Sequence, residues 1–234
     1  MNKLIVVTGG TKGIGRAILV RFAQAQFDVV TCSRNGDDLQ GLAMELETNF
    51  KVKAFVKVTD MADKEQVKSF AEFVSSLNRQ IAVLVNNAGF FVPGSILKEA
   101  EGSLESMIAR NVYSAYYTTR GIAQSMIGNS SGHIFNMCSI ASIKAYPNGG
   151  SYAISKFALL GFSKVLREEL KEFGVRVTAI LPGATRTASW DGVDLPDDRF
   201  IKVEDVAETV YSAYSLSARS VVEEIIIRPQ LGDI

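Results

Sequence analysis

Three side chains that could exchange a proton with a substrate lie in the second half of the chain. Tyr152 and Lys156 are four residues apart in the segment YAISK, and Ser139 precedes them. On a helix this spacing places a phenol and an ammonium on one face, one turn apart. A nearby positive charge favours the phenolate and lowers the pKa of tyrosine from its ordinary value of about 10. The pattern therefore predicts proton transfer by Tyr152, although Tyr-x-x-x-Lys taken alone is more often an ordinary amphipathic pair.

Apolar runs of five to seven residues recur along the chain, and several are rich in β-branched residues, as buried parallel strands are. They predict about seven strands, namely Leu4–Thr8, Phe27–Cys32, Val52–Val58, Ile81–Asn86, His133–Cys138, Val175–Leu181 and Glu224–Arg228. Helical periodicity between them predicts the helices Gly15–Gln26, Lys64–Leu77, Ser103–Ile127, Ser151–Phe173 and Val203–Leu216. The alternation predicts an α/β fold in which residues 1–234 form a single domain, a doubly wound parallel sheet with helices on both faces.

This architecture gives the three side chains a common location. Ser139 follows the fifth predicted strand, and Tyr152 opens the helix after it. Ligands of open parallel sheets bind outside the carboxyl ends of the strands. We therefore expect Ser139, Tyr152 and Lys156 to face one crevice, where Ser139 would hydrogen-bond a substrate oxygen.

A glycine-rich turn, in the segment VVTGGTKGIGRAI, follows the first predicted strand and opens the first helix. Gly9, Gly13 and Gly15 would let the backbone turn tightly and approach a pyrophosphate, whose charge the free N–H groups of the helix start would bind. A glycine pattern alone is as often a purely structural turn. Here the order of strand, turn and helix matches a dinucleotide site.

The end of the second predicted strand bears on which cofactor binds. Ser33 stands where an acidic residue would hold the ribose 2′-hydroxyl of NAD(H), and Arg34 follows it. Lys12, in the glycine turn, adds a second positive charge. An arginine and a lysine suit the 2′-phosphate of NADP(H), so we expect NADP(H) rather than NAD(H). Either cation alone would more often be an ordinary surface charge.

Together these motifs resemble the short-chain dehydrogenase/reductase family of Rossmann-fold oxidoreductases. The matching residues, in family order and at family-like spacings, are Thr8-Gly9-x-x-x-Gly13-x-Gly15, Asn86-Asn87-Ala88-Gly89, Asn111, Ser139, Tyr152, Lys156 and Pro182-Gly183. The resemblance implies that Tyr152 is the catalytic acid/base, that Lys156 tunes it, that Ser139 polarises a carbonyl and that Asn111 relays protons through a water.

The resemblance also implies a cofactor site that runs from the glycine turn to the segment after the sixth strand. In the family the Asn-Asn-Ala-Gly segment supports the central sheet and this site, a role that falls here to Asn86 and its neighbours. The implied cofactor-binding residues are Gly9, Thr11, Lys12, Gly13, Ile14, Gly15, Ser33, Arg34, Val58, Asn87, Ala88, Gly89, Tyr152, Lys156, Pro182, Gly183, Thr185 and Thr187.

Two features depart from the family pattern. Many members have an aspartate near the end of the third strand that contacts the adenine amino group, and the aligned residue here is Lys57, with Asp60 three residues on. The adenine contact would then fall to the backbone of Val58. The loop after Pro182-Gly183, which shapes the substrate pocket in relatives, is short.

Composition limits the classes of partner. The chain has 234 residues, no net charge, 47% hydrophobic residues, two cysteines and one histidine. Zero net charge predicts no nucleic-acid partner, and apolar runs too short to span a bilayer predict no membrane partner. The scarcity of His and Cys predicts no metal site, and both cysteines read as buried thiols in a cytoplasmic protein.

The resemblance implies a homodimer or homotetramer built on the two long helices, with apolar contacts from Tyr113, Tyr116, Tyr117, Phe157, Leu160 and Phe162, unless these side chains simply pack on the sheet.

The sequence thus predicts an NADP(H)-dependent oxidoreductase that interconverts a carbonyl compound, ketone or aldehyde, and an alcohol. Two alternatives keep the same fold. One is a non-catalytic NADP(H)-binding protein with a regulatory or interaction role, which would have no need of all four catalytic residues. The other is a dehydratase or epimerase with a tightly held cofactor. An apolar pocket near Phe90, Phe91, Ile140, Tyr146 and Trp190 would favour a substrate without a charged recognition group.

Overall fold

Seven strands form one fully parallel sheet in the order β3-β2-β1-β4-β5-β6-β7 in the computed structural model, which describes residues 2–190 and 192–234. The strands are β1 (Leu4–Thr8), β2 (Asp28–Ser33), β3 (Ala54–Val58), β4 (Ile81–Asn86), β5 (Gly132–Met137), β6 (Val175–Pro182) and β7 (Glu224–Ile227). The chain begins in the centre of the sheet, because β1 pairs with both β2 and β4. The topological switch therefore lies between β1 and β4, and a crevice opens outside their carboxyl ends.

Helices cover both faces of the sheet. They are α1 (Gly13–Gln24), α2 (Gly36–Phe50), α3 (Lys64–Ser76), α4 (Ser103–Ile108), α5 (Ser114–Gly128), α6 (Gly150–Leu170) and α7 (Val203–Ser215), and a π-helical turn joins α4 to α5. Side chains alternate across β1, so that Ile5 and Val7 pack with α1, α2 and α7, whereas Leu4 and Val6 pack with α3, α5 and α6. Two apolar layers thus hold the strand ends in fixed positions.

The predicted fold class is confirmed, with most element boundaries within two residues of those predicted. The sequence interpretation missed helix α2, which follows β2 directly. Asn35 caps this helix by accepting hydrogen bonds from the N–H groups of Asp37 and Asp38 at 2.9 and 3.2 Å. Its buried face consists of Leu39, Leu42, Ala43 and Leu46. Both the cap and the apolar spacing were legible, so this miss lies in the reading of the pattern.

A buried ion pair closes the amino end of the sheet, opposite the crevice. Asp28 accepts hydrogen bonds from the backbone N–H of Lys53 at 2.8 Å and from Nη2 of Arg79 at 2.7 Å. Burial alone would raise the pKa of Asp28, but these bonds and one from Asn2 outweigh it and lower the pKa. Asp28 therefore ties the starts of β1, β2 and β4 together in its ionised form.

We predict that Asp28→Asn lowers the free energy of unfolding by about 3 kcal/mol at pH 7, because it leaves the Arg79 guanidinium buried without a counter-charge. The loss is measured by urea denaturation. The pKa of Asp28 is lower in the folded state than in the unfolded state. Its contribution is therefore complete above the unfolded pKa and disappears as the pH falls through the folded value, so wild type and variant converge in acid.

The exposed pair Lys68–Glu65, whose atoms are 2.8 Å apart, serves as the control. Glu65→Gln is expected to change the free energy of unfolding by less than about 1 kcal/mol. Equal losses in the two variants would contradict a special role for the buried pair.

Candidate active site

The glycine turn leaves a strip of bare backbone at the carboxyl end of β1. Gly9 and Gly13 have φ angles of +68° and +55°, a region that side chains other than glycine rarely adopt. A Cβ on Gly15 would clash with the Asn87 side chain and lie 2.5 Å from the Gly9 oxygen. Asn87 in turn donates hydrogen bonds to the carbonyl oxygens of Thr8 and Gly9 at 2.9 and 3.0 Å. Asn87 thus fixes one side of the turn, and the opposite side is open to a ligand.

Thr8 and Asn86 connect this turn to the centre of the sheet. The Thr8 hydroxyl accepts the N–H groups of Asn87 and Ala88 at 3.0 and 2.9 Å. Asn86 donates to Thr119 on α5 and to Asn136 on β5 at 2.9 and 2.8 Å. The network continues from Nδ2 of Asn136 to Ser163 on α6 at 3.0 Å. This polar line runs from β4 through β5 to both helices on that face.

Two cations stand at the corner between the glycine turn and the end of β2. Lys12 forms a 3.1 Å ion pair with Asp38 in the first turn of α2. Arg34 is exposed and immediately precedes Asn35, the cap of that helix. Ser33 accepts a hydrogen bond from the Asn35 N–H at 3.2 Å. The residues predicted to bind a 2′-phosphate therefore share one rim, with Asp38 as an acidic neighbour of Lys12.

At the end of β3 the unusual lysine turns away from the crevice. Lys57 donates hydrogen bonds to the carbonyl oxygen and hydroxyl of Ser69 on α3, at 2.8 and 2.7 Å. Val58, the next residue, is 58% exposed at the strand end. The surface that borders Arg34 here is apolar, and the Lys57 ammonium is engaged elsewhere.

Tyr152, Lys156 and Ser139 converge where β5 ends. The Lys156 side chain is buried, and its Nζ donates to the carbonyl oxygen of Met137 at 2.7 Å. The same Nζ lies 5.8 Å from the centre of the Tyr152 ring. Ser139 caps the short 3-10 helix after β5, and its hydroxyl interacts with that of Tyr152. The three side chains named from their spacing therefore share one pocket.

The predicted effect of Lys156 on Tyr152 is wrong in this structure, because burial dominates. Tyr152 is half-buried as a residue, and the burial of its hydroxyl raises the pKa of Tyr152 above its ordinary value of 10.0. The hydrogen bond with Ser139 opposes the shift without reversing it. Burial also lowers the pKa of Lys156 from 10.5 to about 8. The pocket thus favours the neutral form of both groups.

Asn111 lies in the π-helical turn Ala109–Tyr113 and is almost fully buried. Its Oδ1 accepts the Phe90 N–H at 3.0 Å, and its Nδ2 donates to the Phe90 oxygen and the Ser155 hydroxyl at 3.2 and 2.9 Å. A Cβ on Gly89 would lie 2.9 Å from Oδ1 of Asn111 and 3.8 Å from Nζ of Lys156. Gly89 therefore lets the two side chains approach each other. A proton relay between them would run through water.

The segment after β6 closes the crevice from the far side. Gly183 donates its N–H to Ile227 at 2.7 Å, and the buried Thr185 donates to the Gly183 oxygen at 3.0 Å. The methyl group of Thr187 would lie 3.2 Å from a Cβ on Gly13. Among its described residues, the segment 183–200 contains two short 3-10 helices, Ala188–Trp190 and Asp197–Arg199. This loop thus meets the glycine turn, as a wall shared by cofactor and substrate would.

The remaining predicted residues divide between the crevice and the core. Thr11 is half-buried within the glycine turn, whereas the Ile14 side chain packs against the core, so that only its backbone can face a cofactor. Phe91 packs edge-on against Tyr152, with ring centres 4.8 Å apart. Tyr146 lies close enough to Tyr152 for the two phenols to interact, and burial raises the pKa of Tyr146 to about 12.

Sequence reasoning missed four contributors to the site, namely Asp38, Glu99, the Met137 carbonyl group and Ser155. Asp38, Glu99 and Met137 lie outside the motifs, whereas Ser155 is the serine of the YAISK segment. Its spacing of three residues from Tyr152 makes it the one contributor that the sequence pattern could have indicated. The other three make contacts between segments that are distant in sequence, and no local pattern predicts such contacts.

Among residues 2–190 and 192–234, no group of three or more His, Cys, Asp or Glu could hold a metal ion. In the same part of the chain, no helix is long and apolar enough to cross a membrane.

Comparisons with known proteins agree with this geometry. The family profile described as short chain dehydrogenase matches residues 3–196. Sepiapterin reductase of Chlorobaculum tepidum is 32% identical over 242 residues, which cover 100% of this chain and 99% of that protein. The coordinates define an α/β protein in which Tyr152, Lys156 and Ser139 meet at the carboxyl end of a parallel sheet. The chain belongs to the short-chain dehydrogenase/reductase family and is therefore an oxidoreductase, as the sequence motifs predicted.

Two solved structures resemble the whole chain. The alcohol dehydrogenase of Thermococcus sibiricus, complexed with 5-hydroxy-NADP, has a TM-score of 0.92 at 26% identity, covering 98% of this chain and 97% of that one. L-sorbose reductase of Gluconobacter frateurii, complexed with NADPH and L-sorbose, has a TM-score of 0.90 at 27% identity, covering 97% and 95%. Both confirm the fold, and the roles of individual site residues stay predictions.

We predict that Lys156→Met makes the protein more stable at pH 6.5, by about 1–3 kcal/mol, because it removes a buried charge. The folded state lowers the pKa of Lys156, so below pH 8 both states hold the proton and the full cost applies. Between about 8 and 10.5 the folded state releases its proton first, and the cost diminishes. Urea denaturation at pH 6.5 and 9.5 should therefore show a smaller gain at the higher pH.

Lys164→Met, on the exposed side of the same helix, is the matched control. Its effect on stability should be the same at both pH values. A Lys156→Met variant that is less stable than wild type at pH 6.5 would show that the bond to Met137 outweighs the cost of burying the charge.

Proposed function

We propose that this protein is an NADP(H)-dependent reductase of carbonyl compounds that works reversibly on the corresponding alcohols. The observation that carries the proposal is the convergence of Tyr152, Lys156 and Ser139 at the end of β5, beside the glycine turn. A purely structural Tyr-x-x-x-Lys pair has no reason to bury an ammonium against a backbone carbonyl group. We propose that the whole chain serves as one catalytic domain.

The residues present fit a nicotinamide dinucleotide. The bare backbone of the glycine turn would bind the pyrophosphate, and Lys156 would hold the ribose next to the nicotinamide. Thr185 and Thr187 would border the nicotinamide carboxamide. When bound, the cofactor supplies or accepts a hydride, and the protein provides placement and the proton.

Tyr152 is proposed as the proton donor during carbonyl reduction. Because burial raises the pKa of Tyr152, the phenol carries its proton at neutral pH and can deliver it to a carbonyl oxygen. Ser139 would hydrogen-bond the same oxygen. Alcohol oxidation needs the phenolate instead, so we expect oxidation to become faster as the pH rises. Lys156 and Asn111 would return the proton from solvent through water.

NADP(H) is favoured over NAD(H) by the rim that Lys12 and Arg34 form. No acidic residue occupies the end of β2, where Ser33 stands, and the acidic partner of Lys12 is Asp38 in the first turn of α2. Two similar structures, those of Thermococcus sibiricus and Gluconobacter frateurii, contain 5-hydroxy-NADP and NADPH. With Lys57 bonded to Ser69, adenine would rest on the Val58 surface and meet only backbone polar groups.

The Tyr152 ring has an aromatic neighbour, since Phe91 packs edge-on against it. An uncharged ketone or aldehyde fits beside these rings better than a carboxylate. Sepiapterin reductase and L-sorbose reductase take their names from very different substrates, so a broad carbonyl panel is the appropriate assay.

A homodimer or homotetramer and a cytoplasmic location stay predictions. Tyr113, Tyr116 and Phe157 are exposed on the faces proposed for self-association, and Tyr117 and Phe162 are half-buried there. Leu160 is buried against β6 and α5, so for this residue the alternative holds that the side chain packs within the protein.

We predict that Tyr152→Phe lowers kcat for NADPH-dependent reduction by at least about 100-fold, because it removes the proton that the carbonyl oxygen must receive. The dissociation constant of NADPH, measured by fluorescence titration, should change less than about threefold, or 0.7 kcal/mol. Tyr113→Phe, which alters an exposed tyrosine, should leave both quantities unchanged. A Tyr152→Phe variant with wild-type turnover would refute the assignment. A wild type that binds NADPH but reduces no member of the panel would favour the regulatory alternative.

Replacing the two rim cations tests the choice of cofactor. We predict that Arg34→Ala and Lys12→Ala each raise KM for NADPH about tenfold, since each loses a charge-assisted bond to the 2′-phosphate. KM for NADH should be nearly unchanged. Arg219→Ala, which removes an exposed arginine far along the chain, is the control. Parallel losses with NADPH and NADH would mean that the two residues do not distinguish the cofactors.

A further inference from the structure

The helix that carries Tyr152 receives its amino-terminal cap from another part of the chain. The preceding residue, Gly149, has no side chain to offer, and the described first turn of α6 contains no acidic residue. Glu99, in the loop after β4, fills this place. Its Oε1 accepts the Ser151 N–H at 2.9 Å, and its Oε2 accepts a short hydrogen bond from the Ser151 hydroxyl. A carboxylate here satisfies a free N–H group and favours the helix dipole.

The surrounding backbone leaves room for this carboxylate. Gly150 has a φ angle of +36°, and a Cβ there would clash with Oε1 of Glu99. A Cβ on Gly94 would lie 2.5 Å from Cγ of Glu99. The Gly94 N–H also donates to the Asn148 oxygen at 2.9 Å, next to the start of α6. Two glycines on two segments thus enclose one side chain.

This contact reaches the reacting pocket through the next residue. Ser151, which Glu99 holds by backbone and hydroxyl, is buried and directly precedes Tyr152. The loop that bears Glu99 also bears Phe91, whose ring packs against Tyr152. Its other end is fixed by the two hydrogen bonds between Asn111 and Phe90. The loop is therefore attached to the catalytic helices at both ends.

We propose that Glu99 is a positioning residue for Tyr152. Its carboxylate fixes the first turn of α6, and with it the phenol relative to Ser139 and Phe91. Glu99 itself does not touch the reacting atoms. The proposal rests on the proposed function for its catalytic consequence, whereas the placement of the helix start can be tested without turnover.

The test compares Glu99→Ala, Glu99→Gln and the control Glu101→Ala, which removes an exposed glutamate from the same loop. Amide hydrogen exchange of residues 150–156 is measured first. Glu99→Ala should raise exchange there about tenfold, Glu99→Gln should largely restore protection because its amide oxygen still accepts the Ser151 N–H, and Glu101→Ala should match wild type. Unchanged exchange in Glu99→Ala would overturn the proposal.

Steady-state kinetics at a temperature where all variants are folded supply the second measurement. Glu99→Ala should lower kcat about tenfold or more, as a displaced catalytic group does, with the NADPH dissociation constant unchanged and activity recovered in Glu99→Gln. Raised exchange with wild-type kcat would leave Glu99 as a cap only and overturn the positioning role. If wild type reduces no carbonyl compound, the proposed function fails, and hydrogen exchange still decides whether Glu99 holds the helix start.

Discussion

The buried Lys156 ammonium and its hydrogen bond to the Met137 carbonyl group are the interaction on which the site depends. Burial makes the charge costly, and the bond to the end of β5 recovers part of that cost. The same bond fixes α6 at one distance from the sheet, so the Tyr152 phenol lies where Ser139 also points. A lysine on the surface would destabilise the fold less, but it would not fix the position of α6 or of the Tyr152 phenol. The arrangement gives up stability to fix the position of the phenol that we propose as the proton donor, as functional sites often do.

The architecture was readable from the sequence because buried strands and amphipathic helices leave periodic apolar patterns. β1 and β4 were predicted to the residue, since each is a short apolar run with a sharp polar or glycine end. Helix α2 was not predicted, although its Asn35 cap and leucine spacing are present in the sequence, because Asp, Glu and Gln are interspersed with the buried leucines. The π-helical turn that carries Asn111 lay beyond sequence reasoning, because a change of helical pitch depends on tertiary packing.

The sequence predicted which residue types form the candidate site, but it did not predict the electrostatic environment of those residues. Spacing placed Tyr152 and Lys156 on one helix face, which the coordinates bear out. Spacing does not report how much protein surrounds a hydroxyl, and this is why the direction of the Tyr152 pKa shift was wrong. Lys57 illustrates the same limit, since the sequence shows which residue replaces the aspartate but not that its ammonium turns to Ser69. Contacts between segments distant in sequence, such as that of Glu99 with Ser151, are set by loop paths.

The polar line from Asn86 through Asn136 to Ser163 has a mechanical consequence. Apolar side chains tolerate small sliding movements, because dispersion contacts are nearly independent of direction. Hydrogen bonds to Thr119 and Ser163 require defined angles, so α5 and α6 cannot shift along the sheet without breaking them. These hydrogen bonds fix the positions of the two helices along the sheet, within a layer whose other contacts are apolar. We therefore expect the loops at the carboxyl end of the sheet to move more readily than α5, α6 and the strands that these bonds join.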